Sequence, residues 1–125
     1  MGKSVLIVGE DPALIDFDAP DAPKGMSAEK VMAGLNGSVE RLEKAGHSAD
    51  LLLTRDAETV EAQLGAALDA RRYDVVVIGA GLRVLPPMTA QFERLINALG
   101  RLAPGTPIAF NDQPDDSDVA ALRWI

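Results

Sequence analysis

The run Val75-Val-Val-Ile78 contains no polar residue, and it leads directly into Gly79-Ala-Gly81. β-Branched side chains are stiff at χ1, which lowers helix propensity and suits the pleated surface of a strand. With no polar alternation, such a strand must be covered on both faces. That condition is met in parallel sheets sandwiched between helices. Lys3–Val8 likewise shows no polar alternation, Ala49–Leu53 reads as a second strand, and Pro107–Phe110 supplies a shorter fourth run. Together with Asp74–Ile78 they predict four strands.

Between the runs the apolar spacing changes from continuous to helical. Ser27 is a good N-cap, and Val31, Leu35, Val39 and Leu42 follow at one-turn intervals before Gly46 stops the helix. Asp56 caps a second helix with Val60, Leu64, Ala67 and Leu68 on its inner face. Thr89 is expected to cap a third, carrying Phe92, Leu95, Ile96, Leu99 and Leu102, which Pro104-Gly105 ends. Asp115 or Ser117 opens a last short helix that carries Val119, Leu122 and Trp124. Strand and helix therefore alternate. Alternation implies parallel strands, right-handed crossovers and helices on both faces. The prediction is an α/β three-layer sandwich of flavodoxin-like (Rossmann-like) type, with a four-stranded parallel sheet in the order 2-1-3-4. Residues 1–125 read as one domain, with a long insertion at 10–26. That segment, Glu10–Met26, holds three Pro, five acids and no period. It reads as a loop, more mobile than its flanks, that serves as a lid or is a surface insertion without a role.

Charge and composition narrow the function classes. The net charge is −7 and the pI about 4.6. Nucleic acid and anionic membrane surfaces both need a positive footprint, so neither is expected as a partner. No segment approaches the roughly 20 apolar residues of a membrane span, and Val5–Val8 is too short for a signal-peptide core. A cytoplasmic location is expected. There is no Cys, and the sole histidine, His47, stands in a turn before a strand, away from the carboxyl ends of the strands. Ser-His and Cys-His nucleophilic catalysis are therefore disfavoured. The first strand opens into Gly-Glu-Asp-Pro-Ala-Leu rather than Gly-x-Gly-x-x-Gly, and no Walker A sequence is present. No cofactor is expected.

All strands of a parallel sheet end at one edge, and ligands of open α/β sheets bind there. That edge should carry Glu10, Asp11, Arg55, Gly79, Gly81, Arg83, Asn111 and Asp112. The glycines allow close approach of a ligand or simply shape a turn. Glu10 and Asp11, with Asp112 as a third oxygen donor, suit a divalent cation, or they form a solvated acidic turn. Arg55 and Arg83 could take a carboxylate or phosphate, or neutralise those acids. Leu82, Val84 and Leu85 suit a cavity wall or a partner surface.

Two resemblances are carried by these residues. The run Val5-Leu-Ile-Val-Gly-Glu-Asp-Pro-Ala-Leu14 resembles the start of a response-regulator receiver domain. Leu82–Pro87, Phe92-Glu93 and Pro104-Gly-Thr-Pro107 resemble that family's middle. The family's phosphoacceptor Asp falls on Gly79 here, and its closing Lys-Pro strand is absent. The resemblance therefore implies a degenerate receiver without phosphotransfer. The layout is also similar to type II dehydroquinases, with Ile78-Gly-Ala-Gly81 matching that family's Ile-x-x-Gly-Ala loop, but the catalytic Arg, Tyr and His have no counterpart.

Three functions follow as expectations: non-catalytic binding of a small polar ligand or a protein partner at the carboxyl edge, a receiver-like interaction module, and an enzyme using Glu10 or Asp11 on a small substrate. The fourth strand has no fifth beside it, and Trp124-Ile125 is apolar. Both features point to a homodimer, unless the tail packs back on its own domain.

Overall fold

Four parallel strands make a single sheet in the computed structural model, which describes residues 2–20, 22 and 24–125. They are β1 (Ser4–Glu10), β2 (Ser48–Thr54), β3 (Val75–Ile78) and β4 (Ile108–Phe110), in the order β2-β1-β3-β4. Around them run α1 (Ala28–Lys44), α2 (Val60–Ala70), α3 (Ala80–Val84), α4 (Thr89–Leu102) and α5 (Ser117–Leu122). This is the flavodoxin-like three-layer arrangement. The register aligns Val8 with both Leu52 and Ile78, and Ile78 with Phe110, so the strand ends lie side by side.

The period of two along each strand divides the core. Leu6, Val8, Val76 and Ile78 face Val60 and Leu64 of α2 and Leu95 and Leu99 of α4. Val5, Ile7, Val75, Val77 and Ala109 face Leu35 and Leu42 of α1 and Ala120 and Ala121 of α5. Each such aliphatic side chain, fully buried, contributes roughly 1.5–3 kcal/mol. Helix ends follow the capping chemistry. The Ser27 hydroxyl accepts from the Lys30 amide at 3.2 Å. At the other end of α1, Gly46 adopts φ 92°, and the His47 amide returns to the Leu42 carbonyl at 3.0 Å. Only glycine takes that left-handed turn without strain. His47 lies at the amino edge of the sheet, where its Nδ1 accepts from the Lys3 amide at 3.0 Å.

Four local expectations need correction. Strand β1 does not stop at Val8 but continues through Gly9 and Glu10, because β2 extends far enough to pair with them. The segment after β3 is a helix, α3, and not an open glycine loop. Leu82 is buried in the core, and the Asn111 side chain accepts the Ala80 amide at 2.8 Å. Thr89 does not cap α4. It is already helical, and its hydroxyl donates to the Pro86 carbonyl at 2.9 Å. Helix α5 turns Ser117, Asp118, Ala120 and Ala121 inward and leaves Val119, Leu122 and Trp124 exposed. The short helix is held by Asp118, whose carboxylate accepts from Arg41 Nε at 2.9 Å, and this fixes which face points in.

Candidate ligand cavity at the carboxyl edge

A cavity of about 390 Å³ lies where β1, β3 and β4 end. Gly9 and Glu10 come from β1, and Gly79 with Ala80, Gly81 and Leu82 from the end of β3 and α3. Asn111, Asp112, Gln113 and Pro114 follow β4. Val31 and Leu35 of α1 close one side. The 10–26 segment closes another with Ile15, Phe17, Lys24 and Met26. A second cavity of about 220 Å³ shares Glu10, Ile15 and Leu85 with the first and lies under the same segment. The segment is therefore not shapeless. Asp11 Oδ1 accepts from the Ala13 amide at 3.0 Å and starts a single 3₁₀ turn, Pro12–Leu14, with Pro12 buried.

Of the eight residues expected at this edge, five line the cavity: Glu10, Gly79, Gly81, Asn111 and Asp112. Asp11, Arg55 and Arg83 do not. Asp11 is spent on the turn just described. Arg55 is exposed at the end of β2. Arg83 turns towards β4, donates to the Asn111 carbonyl, and lays its guanidinium over the Phe110 ring, 4.7 Å from the centroid. Its Nε is buried without a hydrogen-bond partner among the described residues. The expected cations are thus absent from the cavity. Nor do Glu10, Asp11 and Asp112 converge, since among the described residues no group of three or more His, Cys, Asp or Glu is placed to hold a metal ion.

The polar residues divide into scaffold and open groups. Asn111 is buried, and both ends of its amide are engaged. Its Oδ1 takes the Ala80 amide, and its Nδ2 donates to Ser117 Oγ at 2.8 Å, which ties the end of β4 to the starts of α3 and α5. Thr54, at the end of β2, donates to the Gly9 carbonyl at 3.3 Å and accepts from buried Gln91, a partner that no spacing in the sequence announced. Glu10 is different. It is half-buried, its carboxyl bonds to none of the described residues, and it faces both cavities. Burial, and then the neighbouring Asp11 carboxylate, raise its pKa above the ordinary carboxylate value.

Most of the wall is apolar, and much of it was not foreseen as a site. Val31 and Leu35 sit on a stripe that also serves the core, and Ile15, Phe17 and Met26 lie in a stretch with no period. Their available signal was the presence of bulky apolar residues in a segment otherwise rich in acids and proline.

No protein-family model matches the chain, and no curated protein matches it significantly. A crystal structure of a fragment from Peptoclostridium difficile 630, provisionally described as a lipoprotein, has a similar fold. The TM-score is 0.54 at 13% identity, covering 96% of this chain and 92% of that one. At that identity the likeness is one of fold alone. Among the described residues, no helix is long and apolar enough to cross a membrane.

Proposed function

We propose that the domain binds a small organic molecule at the carboxyl edge of its sheet and does no covalent chemistry on it. The observation that carries this reading is the cavity of about 390 Å³ formed by three strand ends and covered by the 10–26 segment. Ligand sites are concave and mostly apolar, with a few polar groups that orient the occupant. Here the apolar wall comes from Ile15, Phe17, Leu82 and Leu85, and the half-buried polar group without a partner among the described residues is Glu10. The ligand is then less polar overall than the charge of the strand ends suggested. A binding role is favoured over catalysis because, among the described residues, no second titratable side chain is hydrogen-bonded to Glu10.

The test uses phenylbutanol as a neutral probe. Binding to the native state alone raises the melting temperature. A Cβ added at Gly81 meets nothing within 4 Å, and Gly81 lines the cavity inside α3. Gly81→Leu is therefore expected to fill the cavity and abolish the probe's stabilisation, with the variant's own melting temperature unchanged or higher, since leucine favours helix over glycine. Equal probe binding by the variant would refute the site.

A second reading draws on a separate surface. One edge of β4 is unpaired, and close in sequence to it Phe110 is 42% and Trp124 56% exposed, with Val119 and Leu122 also in solvent. Unpaired edges and contiguous apolar residues mark association sites. The expected result of sedimentation equilibrium at micromolar concentration is the mass of two chains, reduced towards one by Trp124→Ala. A mass of one chain for the parent rules the dimer out.

A further inference from the structure

We infer that the ligand of this cavity carries a positive charge: it is a small organic amine or ammonium whose cation pairs with Glu10 while its apolar body lies against Phe17, Leu82 and Leu85. The inference rests on the cavity reading above and assigns the ligand class to it.

Three observations converge on Glu10. First, Glu10 lines both cavities, yet its carboxyl has no hydrogen bond or ion pair with any described residue. A polar group withdrawn from water without a partner is costly, and a charged one more so. Second, neither arginine of this edge lines the cavity. Arg83 is committed to the Asn111 carbonyl and the Phe110 ring, and Arg55 stands in solvent. Lys24 is the one cation among the lining residues; it is exposed and makes no ion pair within 4 Å with Glu10. Third, the remaining charge at the edge has the same sign as Glu10. Asp112 lines the cavity, and Asp11 is adjacent in the chain. An anionic ligand would meet these carboxylates with only the exposed Lys24 to offset them.

The alternatives fit less well. A bare metal ion needs several oxygen donors around it, and no such group is assembled among the described residues. A neutral apolar molecule would fill the walls but leave the Glu10 carboxylate desolvated and unpaired. An ammonium supplies charge-assisted N–H donors to Glu10, and Phe17 offers a ring face that attracts a cation. Burial and Asp11 already oppose ionisation of Glu10 in the empty site. A bound cation reverses that opposition, so the differential interaction is concentrated at this residue.

Three probes with one apolar body separate the possibilities: phenylbutylamine, phenylbutanol and phenylbutyrate, each titrated calorimetrically into the intact chain near neutral pH. The amine is expected to bind about tenfold more tightly than the alcohol, and the acid more weakly than either. In Glu10→Gln, which keeps the shape of the side chain, the advantage of the amine over the alcohol is expected to vanish. Equal affinities for amine and alcohol, or a preference that survives Glu10→Gln, would overturn the charge assignment while leaving the cavity reading intact. No binding by any of the three would overturn both.

Discussion

Replacing Gly34 by leucine is expected to destabilise the domain by about 3 kcal/mol, read as an earlier urea midpoint with an unchanged slope. Gly34 is where α1 crosses the turn Pro114–Asp116 that leads into α5. A Cβ built there falls 3.0 Å from the Asp115 amide nitrogen, 3.0 Å from Pro114 Cβ and 3.1 Å from the Pro114 carbonyl carbon. Two of those three atoms are backbone and have little room to yield. A leucine must push the turn away, and the turn carries a network with it. Asp118 accepts from Arg41 Nε at 2.9 Å and Arg41 Nη2 at 3.1 Å, and Ser38 Oγ donates to Asp118 at 3.3 Å. The helix-propensity gain over glycine, about 1 kcal/mol, is too small to compensate. One turn further on, a Cβ at Gly37 meets only the Arg41 guanidinium, at 3.2 Å, which is the far end of a flexible chain. Gly37→Ala is therefore expected to stay within about 1 kcal/mol of the parent. The same network gives the acid side a sign. Hydrogen bonding by Arg41 holds Asp118 below the ordinary carboxylate value. Its contribution is present above the unfolded value of about 3.9 and is lost as pH falls through the folded one. The gap between parent and Gly34→Leu should narrow in that acid range. Equal urea midpoints for the two chains near neutral pH would show that the close approach is not tight.

The layers and strand order were legible because they rest on the two strongest sequence signals, continuous apolar runs and one-turn stripes. Val75–Ile78 could only be a central strand, and Leu35 and Leu42 could only face a sheet. That these residues meet at one edge was legible for the same reason: parallel strands deliver Glu10, Gly79 and Asn111 there whatever their side chains do. What the side chains do there was not legible. Arg83 was expected to reach a ligand, but its direction depends on α3, a helix of five residues that a Gly-Ala-Gly start concealed. Asn111 was expected to be an open binding group, yet the starts of α3 and α5 take up both ends of its amide. Asp11 was paired with Glu10 because they are adjacent, but the turn at Pro12 needs a capping oxygen and takes it. In each case a local backbone requirement outranked the ligand that the residue type suggested. What remains at the cavity after those requirements are met is Glu10, the exposed Lys24 and Asp112, and an apolar wall.

Removing the Tyr73 hydroxyl should separate stability from binding. Tyr73 is buried before β3, at the edge opposite the cavity, and its hydroxyl donates to Asp50 Oδ2 of β2 at 2.6 Å. Arg71 Nη1 reaches the same oxygen at 3.0 Å. Desolvation, then the hydrogen bond to Asp50, push the phenol up to about 12. The Tyr73 hydroxyl in turn lowers Asp50 below the ordinary carboxylate value, with Arg71 assisting. A hydrogen bond to a charged group contributes roughly 1.5–3 kcal/mol, and the half-exposed Asp50 and Arg71 reduce that to about 1–2 kcal/mol. Tyr73→Phe is expected to lose that amount near neutral pH. The phenol's folded pKa is raised above its unfolded value of about 10, so its contribution is fully present below about pH 10 and disappears as pH rises to about 12. Asp50 acts in the opposite sense, with its contribution present above about pH 4 and lost as pH falls through its depressed folded value. Urea unfolding of parent and Tyr73→Phe across the pH range should therefore give a stability difference that is flat in the middle and closes at both ends. A difference that persists unchanged past pH 12 would show that the aromatic ring's packing, rather than the hydrogen bond, carries it. Because the Tyr73 hydroxyl bonds to Asp50 at the amino edge and the cavity lies at the carboxyl edge, the variant should bind phenylbutylamine as the parent does once compared under conditions where both are folded. A parallel loss of probe affinity would mean that the amino-edge pair and the Glu10 cavity are coupled through β1, the strand that lies between Asp50 and β3 and ends at Glu10.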